Sequence, residues 1–180
     1  GTGASAVYLG IINNFATAPV LTGQRFAIDS LDFGYPQHSY ASPDGRAHQS
    51  IVSFNYSGPR TYPGYGAVYF DGTGFSDMVT IRAGDSTIHM QTTVKEQRWG
   101  DYSGSQPDWT TLGKVWVEGI FGRKDRKYGN QVAKLSSPYR VAVPTTPAPP
   151  AARASLYPNP GITYVTFDFN VATEQLFSFY

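Results

Sequence analysis

Asp101 is the carboxylate whose neighbours most invite chemistry. It stands in the run Arg98-Trp99-Gly100-Asp101-Tyr102-Ser103-Gly104, which gathers a guanidinium, aromatic rings and an acid between two glycines. A carboxylate so placed can ligate a cation or accept a hydrogen bond from a sugar hydroxyl. It can also satisfy backbone amides or pair with Arg98, and then it only stabilises the chain. Arg98, Trp99, Asp101 and Tyr102 are accordingly the residues singled out as a ligand or cation contact. Calcium is the kind of structural cation they would take, and no other cofactor is indicated.

The remaining polar groups fit no catalytic set. Asp44, Asp71, Asp77 and Asp108 fall in turns, where side-chain bonds to nearby amides account for them. No two carboxylates stand out as a glycosidase pair. His38, His48 and His89 are scattered at no metal-ligand spacing. Ser103 lacks the glycine spacing of a nucleophile elbow. Gly64, Gly66, Gly72 and Gly74 are followed by no Gly-Lys-Ser/Thr, so they form no phosphate loop. The chain has no cysteine, which excludes disulfides, thiol nucleophiles and thiolate metal sites. Tyr62, Tyr65, Trp99, Tyr102 and Trp109 would make a glycan-stacking surface if they met, and are core or loop anchors otherwise.

The elements that must position these residues are β-strands. Nineteen Gly, thirteen Pro and thirteen Tyr in 180 residues point to many short strands joined by tight turns. No long stretch shows the 3.6-residue period of an amphipathic helix. A formal charge of +1 offers no field to attract nucleic acid or an anionic membrane. The one basic cluster, Arg123, Lys124, Arg126 and Lys127, is broken by Asp125 and reads as a solvated turn. No apolar run approaches the roughly 20 residues of a transmembrane helix. Gly1 to Ala6 has no charged leader region, and Leu176 to Tyr180 reads as a strand just starting. Both ends are therefore expected to be interior to a longer protein.

Strands are expected over Ala6–Ile12, Arg25–Leu31 and Gln49–Tyr56, the last buried on both faces. Ala67–Phe70 and Met78–Ile81 should flank a turn at Asp71-Gly72-Thr73-Gly74, with a further short strand at Ser86–Met90. Gly, Pro and Ser density marks Asp32–Arg46 and Gly58–Tyr65 as loops. Lys114–Phe121 and Tyr128–Leu135 complete an antiparallel sheet. Val115, Val117 and Gly119 should share one face of that sheet, with Trp116, Glu118 and Ile120 on the other. Residues 137–154 are a Pro/Ala-rich linker, with Pro138, Pro144, Pro147, Pro149 and Pro150 favouring extended polyproline geometry. Beyond it, Val165, Phe167, Phe169 and Val171 alternate with polar residues as a half-buried strand.

Two segments resemble known families. Ser155–Phe169 (SLYPNPGITYVTFDF), with Leu156, Tyr157, Pro158, Asn159 and Pro160 ahead of the alternating strand, resembles the opening of the type IX secretion sorting domain of Bacteroidetes. Gln97–Leu135, with RWGDYSG, KVWVEGIFG and YGNQVAKL, resembles the last blade of a sialidase-like β-propeller, and Gln49–Asp85 resembles the blade before it. The Ser-x-Asp-x-Gly-x-Thr-Trp repeat of true sialidases is absent.

The resemblance implies an all-β protein in three parts. These are the C-terminal blades of a β-propeller at 1–136, the linker at 137–154, and the beginning of a truncated β-sandwich sorting domain at 155–180. It implies export to the cell surface or medium, with Tyr157, Pro158, Asn159 and Pro160 as the sorting signal read by the type IX translocon and its shuttle protein. The function then expected is a binding or adhesion module with a glycan among its ligands. The alternative is a secreted glycosidase or peptidase whose catalytic residues lie upstream.

Overall fold

Runs rich in Val, Ile, Tyr and Phe, punctuated by Gly, Pro and Asp turns, fold into nine strands with no helix among the described residues. The computed structural model describes residues 4–45, 48–91, 93 and 95–138. Strands β1 (Val7–Asn13) and β2 (Val20–Phe26) form a hairpin. Strands β3 (Asp32–Tyr40), β4 (Ser50–Gly58), β5 (Thr61–Phe70) and β6 (Val79–Arg82) form a four-stranded sheet in sequence order. Strands β7 (Gly104–Pro107), β8 (Lys114–Gly122) and β9 (Tyr128–Ser136) form a third sheet, also in order. Every pairing is antiparallel.

The four-stranded sheet is the middle layer. One face carries Ile51 of β4 and Tyr65, Ala67 and Tyr69 of β5, which pack against Val115 and Val117 of β8 and Ala133 and Leu135 of β9. The opposite face carries Phe33, Val52, Phe54, Tyr56 and Val68, covered by Val7, Leu9 and Phe26 of the hairpin. Phe26, Phe33 and Phe54 meet there, with Phe33 set edge-on to Phe54 at a centroid distance of 4.8 Å. Double coverage explains why β4 shows no polar alternation: Ile51 through Tyr56 are all buried. At about 1.5–3 kcal/mol for each large apolar side chain removed from water, these two faces hold most of the hydrophobic stabilisation.

Four expectations from sequence need correction. Residues 32–46 are not all loop: Asp32–Tyr40 is β3, an edge strand of the middle sheet. Its Pro36 falls where the register with β4 shifts between Gly34 and Gln37. A proline there removes no ladder bond that the sheet needs. Residues 58–65 likewise belong largely to β5, and Pro63 falls at a second register shift, between Tyr56 and Gly58. Gly64 serves packing rather than a turn, since a side chain there would strike the Tyr56 ring. The second strand ends at Phe26 instead of running to Leu31, and Ser86–Met90 forms no strand. That segment is held by single backbone bonds from Asp85 N–H to Gly122 C=O and from His89 N–H to Arg126 C=O, with Ile88 buried.

Other expectations stand. In β8, Val115, Val117 and Gly119 face inward while Trp116 and Glu118 are at least partly exposed; Ile120, expected with those two, is buried. The turn after β5 is organised by Asp71, whose Oδ1 accepts the amides of Thr73 (2.7 Å) and Gly74 (2.8 Å) and the Thr73 hydroxyl. The basic cluster is the β8–β9 turn, where Arg123 pairs with Asp125 at 3.1 Å. The last strand ends at Ser136, and most of the expected linker and all of the sorting segment lie outside the described residues.

The middle and third sheets come close at Gly119, because the Tyr65 ring lies directly on its Cα. Replacing Gly119 with alanine should destabilise the fold by about 1–3 kcal/mol through overpacking, measured as a lower urea midpoint. An unchanged midpoint would mean that the two sheets do not meet at Tyr65.

Asp108 gives a second test. Its Oδ2 lies 2.6 Å from the Lys134 ammonium, which also sits 5.0 Å above the Trp116 ring centroid. Burial opposes ionisation of Asp108, but Lys134 and the Thr110 hydroxyl and amide outweigh it and hold the carboxyl well below its ordinary range. Its stabilising contribution is therefore full above the ordinary carboxylate value and is lost as pH falls below that value toward the depressed one. Asp108→Asn should cost about 1.5–3 kcal/mol at neutral pH. It should also flatten the acid limb of a stability–pH curve, read by thermal unfolding.

Candidate functional site

The bulge in β3 turns Tyr35 out of the regular pleat. Tyr35 takes φ of 54°, a left-handed conformation uncommon for an aromatic residue. Its ring packs against Gly100, itself at φ 88°, where any side chain would collide with the ring. The Tyr35 carbonyl accepts the Ser103 hydroxyl at 3.2 Å, which ties β3 to the segment leading into β7. Removal from water, then the nearby Asp101 carboxylate that its hydroxyl bonds, raise the Tyr35 phenol above its ordinary value.

This junction borders an open cavity of about 210 Å³. Asp32, Phe33 and Tyr35 of β3, Asn55 and Tyr56 of β4, and Arg98 and Trp99 line it. Gln97 also lines it, and its Oε1 accepts the amides of Met90 and Gln91, both at 2.8 Å. Asn55 is almost fully buried, and its Oδ1 accepts the Ile120 amide of β8 at 3.1 Å. Its Nδ2 is buried without a hydrogen-bond partner.

The four residues singled out from sequence divide at this site. Arg98 Nε donates to Asp101 Oδ2 at 2.8 Å, so the acid is engaged by its own neighbour. Arg98 and Trp99 line the cavity, whereas Tyr102 is 80% exposed. Among the described residues no three His, Asp or Glu side chains converge as metal ligands. Asp101 faces a guanidinium and a phenol, which is a setting for hydrogen bonding rather than for a cation.

The wider aromatic surface is not assembled. Tyr65 is fully buried against Gly119, and burial pushes its phenol well above the ordinary value. Trp109 lies on the exposed β7–β8 turn. Sequence reasoning missed Tyr35 and Asn55. Tyr35 lay in a segment read as loop, and Asn55 looked like one polar residue in a buried strand. The only local signal for Asn55 was its polarity within an otherwise apolar run.

Asp101→Asn removes one partner of an exposed pair, so stability should change by no more than about 1 kcal/mol. The Tyr35 phenol should titrate at lower pH in that variant, seen in ultraviolet pH titration as an earlier phenolate step. A tyrosine titration identical to that of the parent would separate Tyr35 from Asp101.

Comparison with models of known protein families, with curated proteins and with solved structures found no match.

Proposed function

We propose that this chain belongs to a secreted or cell-surface β-propeller protein, exported by the type IX system, whose role is binding or adhesion. The observation that carries the proposal is the order of segments near the C-terminus. A proline-rich stretch leads into Leu156-Tyr157-Pro158-Asn159-Pro160 and then into a cleanly alternating strand. In this reading the described strands are propeller blades, the sorting segment is read by the translocon and its shuttle protein, and the protein ends on the surface or in the medium. Two features support the blade assignment: antiparallel sheets in sequence order, and face-to-face stacking with the middle sheet covered on both sides.

Binding is favoured over catalysis within this chain by how its carboxylates are used. Asp85, Asp101, Asp108 and Asp125 are paired with Arg82, Arg98, Lys134 and Arg123, and Asp71 accepts three turn donors at Oδ1. None stands beside another acid as a proton donor and acceptor pair would require.

The test is export. Tyr157, Pro158, Asn159 and Pro160 are replaced together by alanine in the natural gene of a type IX-competent host, and cell fractions are probed for the protein. The expected result is retention in the periplasm and loss from the surface and medium. Unchanged surface or medium levels would sink the sorting reading.

A further inference from the structure

An unpaired strand edge presents a row of backbone donors and acceptors that another strand can join, and stable proteins blunt such edges. The edge strands of the middle and third sheets all carry a device of this kind. The β3 edge is broken by the bulge at Pro36, and the Ser103 and Ser105 hydroxyls bond its Tyr35 carbonyl and Ser39 hydroxyl. β6 and β7 have four residues each, with Arg82 in the first and Pro107 closing the second. β9 carries Lys134. Strand β2 is different. It pairs with β1 over all 7 of its residues with no register shift, and it contains no proline and no acid. Arg25, near its end, is its one charge, and no charged residue precedes Arg25 in the chain. Among the described residues β2 bonds no strand but β1.

Residues Val20 to Arg25 are exposed, whereas on β1 Val7 is buried and Leu9 and Ile11 are half-buried. The start of β1 is also tied to β3, because the Ser5 amide donates to Asp32 Oδ1 at 2.8 Å and its hydroxyl to the Phe33 carbonyl at 2.8 Å. The open edge of the hairpin is therefore that of β2. Val7, Leu9 and Phe26 face the middle sheet, so the pleat turns Tyr8, Gly10 and Ile12 of β1 and Leu21, Gly23 and Arg25 of β2 away from it. Tyr8, Ile12 and Leu21 are exposed on that outer face. The Tyr8 hydroxyl lies over Gly23, so its ring reaches across from β1 to β2. The turn between the strands is held by Asn14, whose carbonyl accepts the amides of Thr17 and Ala18, both at 3.1 Å.

An occupant of this edge has to supply backbone donors and acceptors in strand geometry, and its side chains have to suit an apolar face with a single cation. The first condition excludes a hydrocarbon surface, which offers no hydrogen bonds. Strand β2 itself meets both. Paired antiparallel with its own copy about Gly23, it sets Gly23 on Gly23, Thr22 on Gln24 and Leu21 on Arg25, so no like charges face each other. The apolar stem of Arg25 can then lie along Leu21. We infer that the β2 edge joins the β2 edge of a second copy of this chain, making one continuous four-stranded sheet from two hairpins. Leu21 then stands opposite the partner's Arg25, and the two Tyr8 rings flank the glycine pair on the two-fold axis. A contact of this symmetry uses the same patch on both copies and closes at a dimer. The inference goes beyond the export and binding reading and does not rest on it.

The experiment is sedimentation velocity of the full-length protein over a concentration series, which should show a monomer–dimer equilibrium. Leu21→Lys sets a lysine opposite the partner's Arg25 twice in each dimer and should raise the dissociation constant by about tenfold. Leu21→Glu sets an acid there instead and should weaken the dimer less than Leu21→Lys does. Combining Leu21→Lys with Arg25→Glu should restore it. Trp109→Lys, which changes an exposed aromatic on the β7–β8 turn, should leave the dissociation constant unchanged. Leu21 is exposed, so its variants should keep the circular dichroism spectrum of the parent. Four results would each overturn the inference: a monomer up to about 100 μM, where a contact of useful strength would be populated; assemblies larger than a dimer; an undiminished dimer in Leu21→Lys; or equal weakening by Leu21→Lys and Leu21→Glu. Export dependence on Tyr157–Pro160 is measured separately, and its failure would leave the dimer untouched.

Discussion

The structure depends on burying the middle sheet from both sides. A sheet with one wet face can shed its polar residues to solvent, but β4 from Ile51 to Tyr56 and β5 from Gly64 to Phe70 have no such face. Every side chain on these strands must fit an apolar surface or find a hydrogen-bond partner inside the protein. The aliphatic and aromatic residues do the first, filling two separate clusters against the hairpin and the third sheet. The few polar residues must do the second, and their positions determine where the sheets are locked and where a cavity remains.

Asn55 shows how this works. Its carbonyl oxygen crosses to the Ile120 amide and fixes the middle sheet against β8 at one height. At the preceding residue of β8, the Tyr65 ring rests on Gly119, where the absent side chain lets the two sheets come close. Together these contacts set the spacing and register of the interface. The other end of the Asn55 amide is buried without a hydrogen-bond partner. Asn55 therefore joins two sheets, and the cavity beside it is bordered by strand residues of β3 and β4.

Arg82 and Lys134 extend the same economy to the periphery. Arg82 pairs with Asp85 at 2.7 Å and lies 4.5 Å above the Phe121 ring centroid, bridging β6 to β8. Lys134 joins the Asp108 turn to Trp116 and closes the outer end of the third sheet. In both cases a cation is shared between an acid and an aromatic face. Its stem covers apolar surface that a short polar residue would leave wet.

The all-β class was legible in the sequence, as were β1, β4, β8, β9 and the Asp71 turn, because each rests on contacts between near neighbours in the chain. Runs of apolar and β-branched residues, alternation at i and i+2 where one face is wet, and Asx bonds at i+2 and i+3 need no knowledge of the fold. The Arg98–Asp101 pair belongs to the same group, three residues apart. Tertiary structure alone decided that Pro36 and Pro63 sit within strands, since a proline is tolerated there only at an edge or a bulge, and edges are defined by other strands. It alone decided the cavity, which joins residues as far apart as Asp32 and Trp99. A pattern of residue types records which positions prefer burial. Which buried group is left without a partner depends on distances between segments remote in sequence, and only packing sets those.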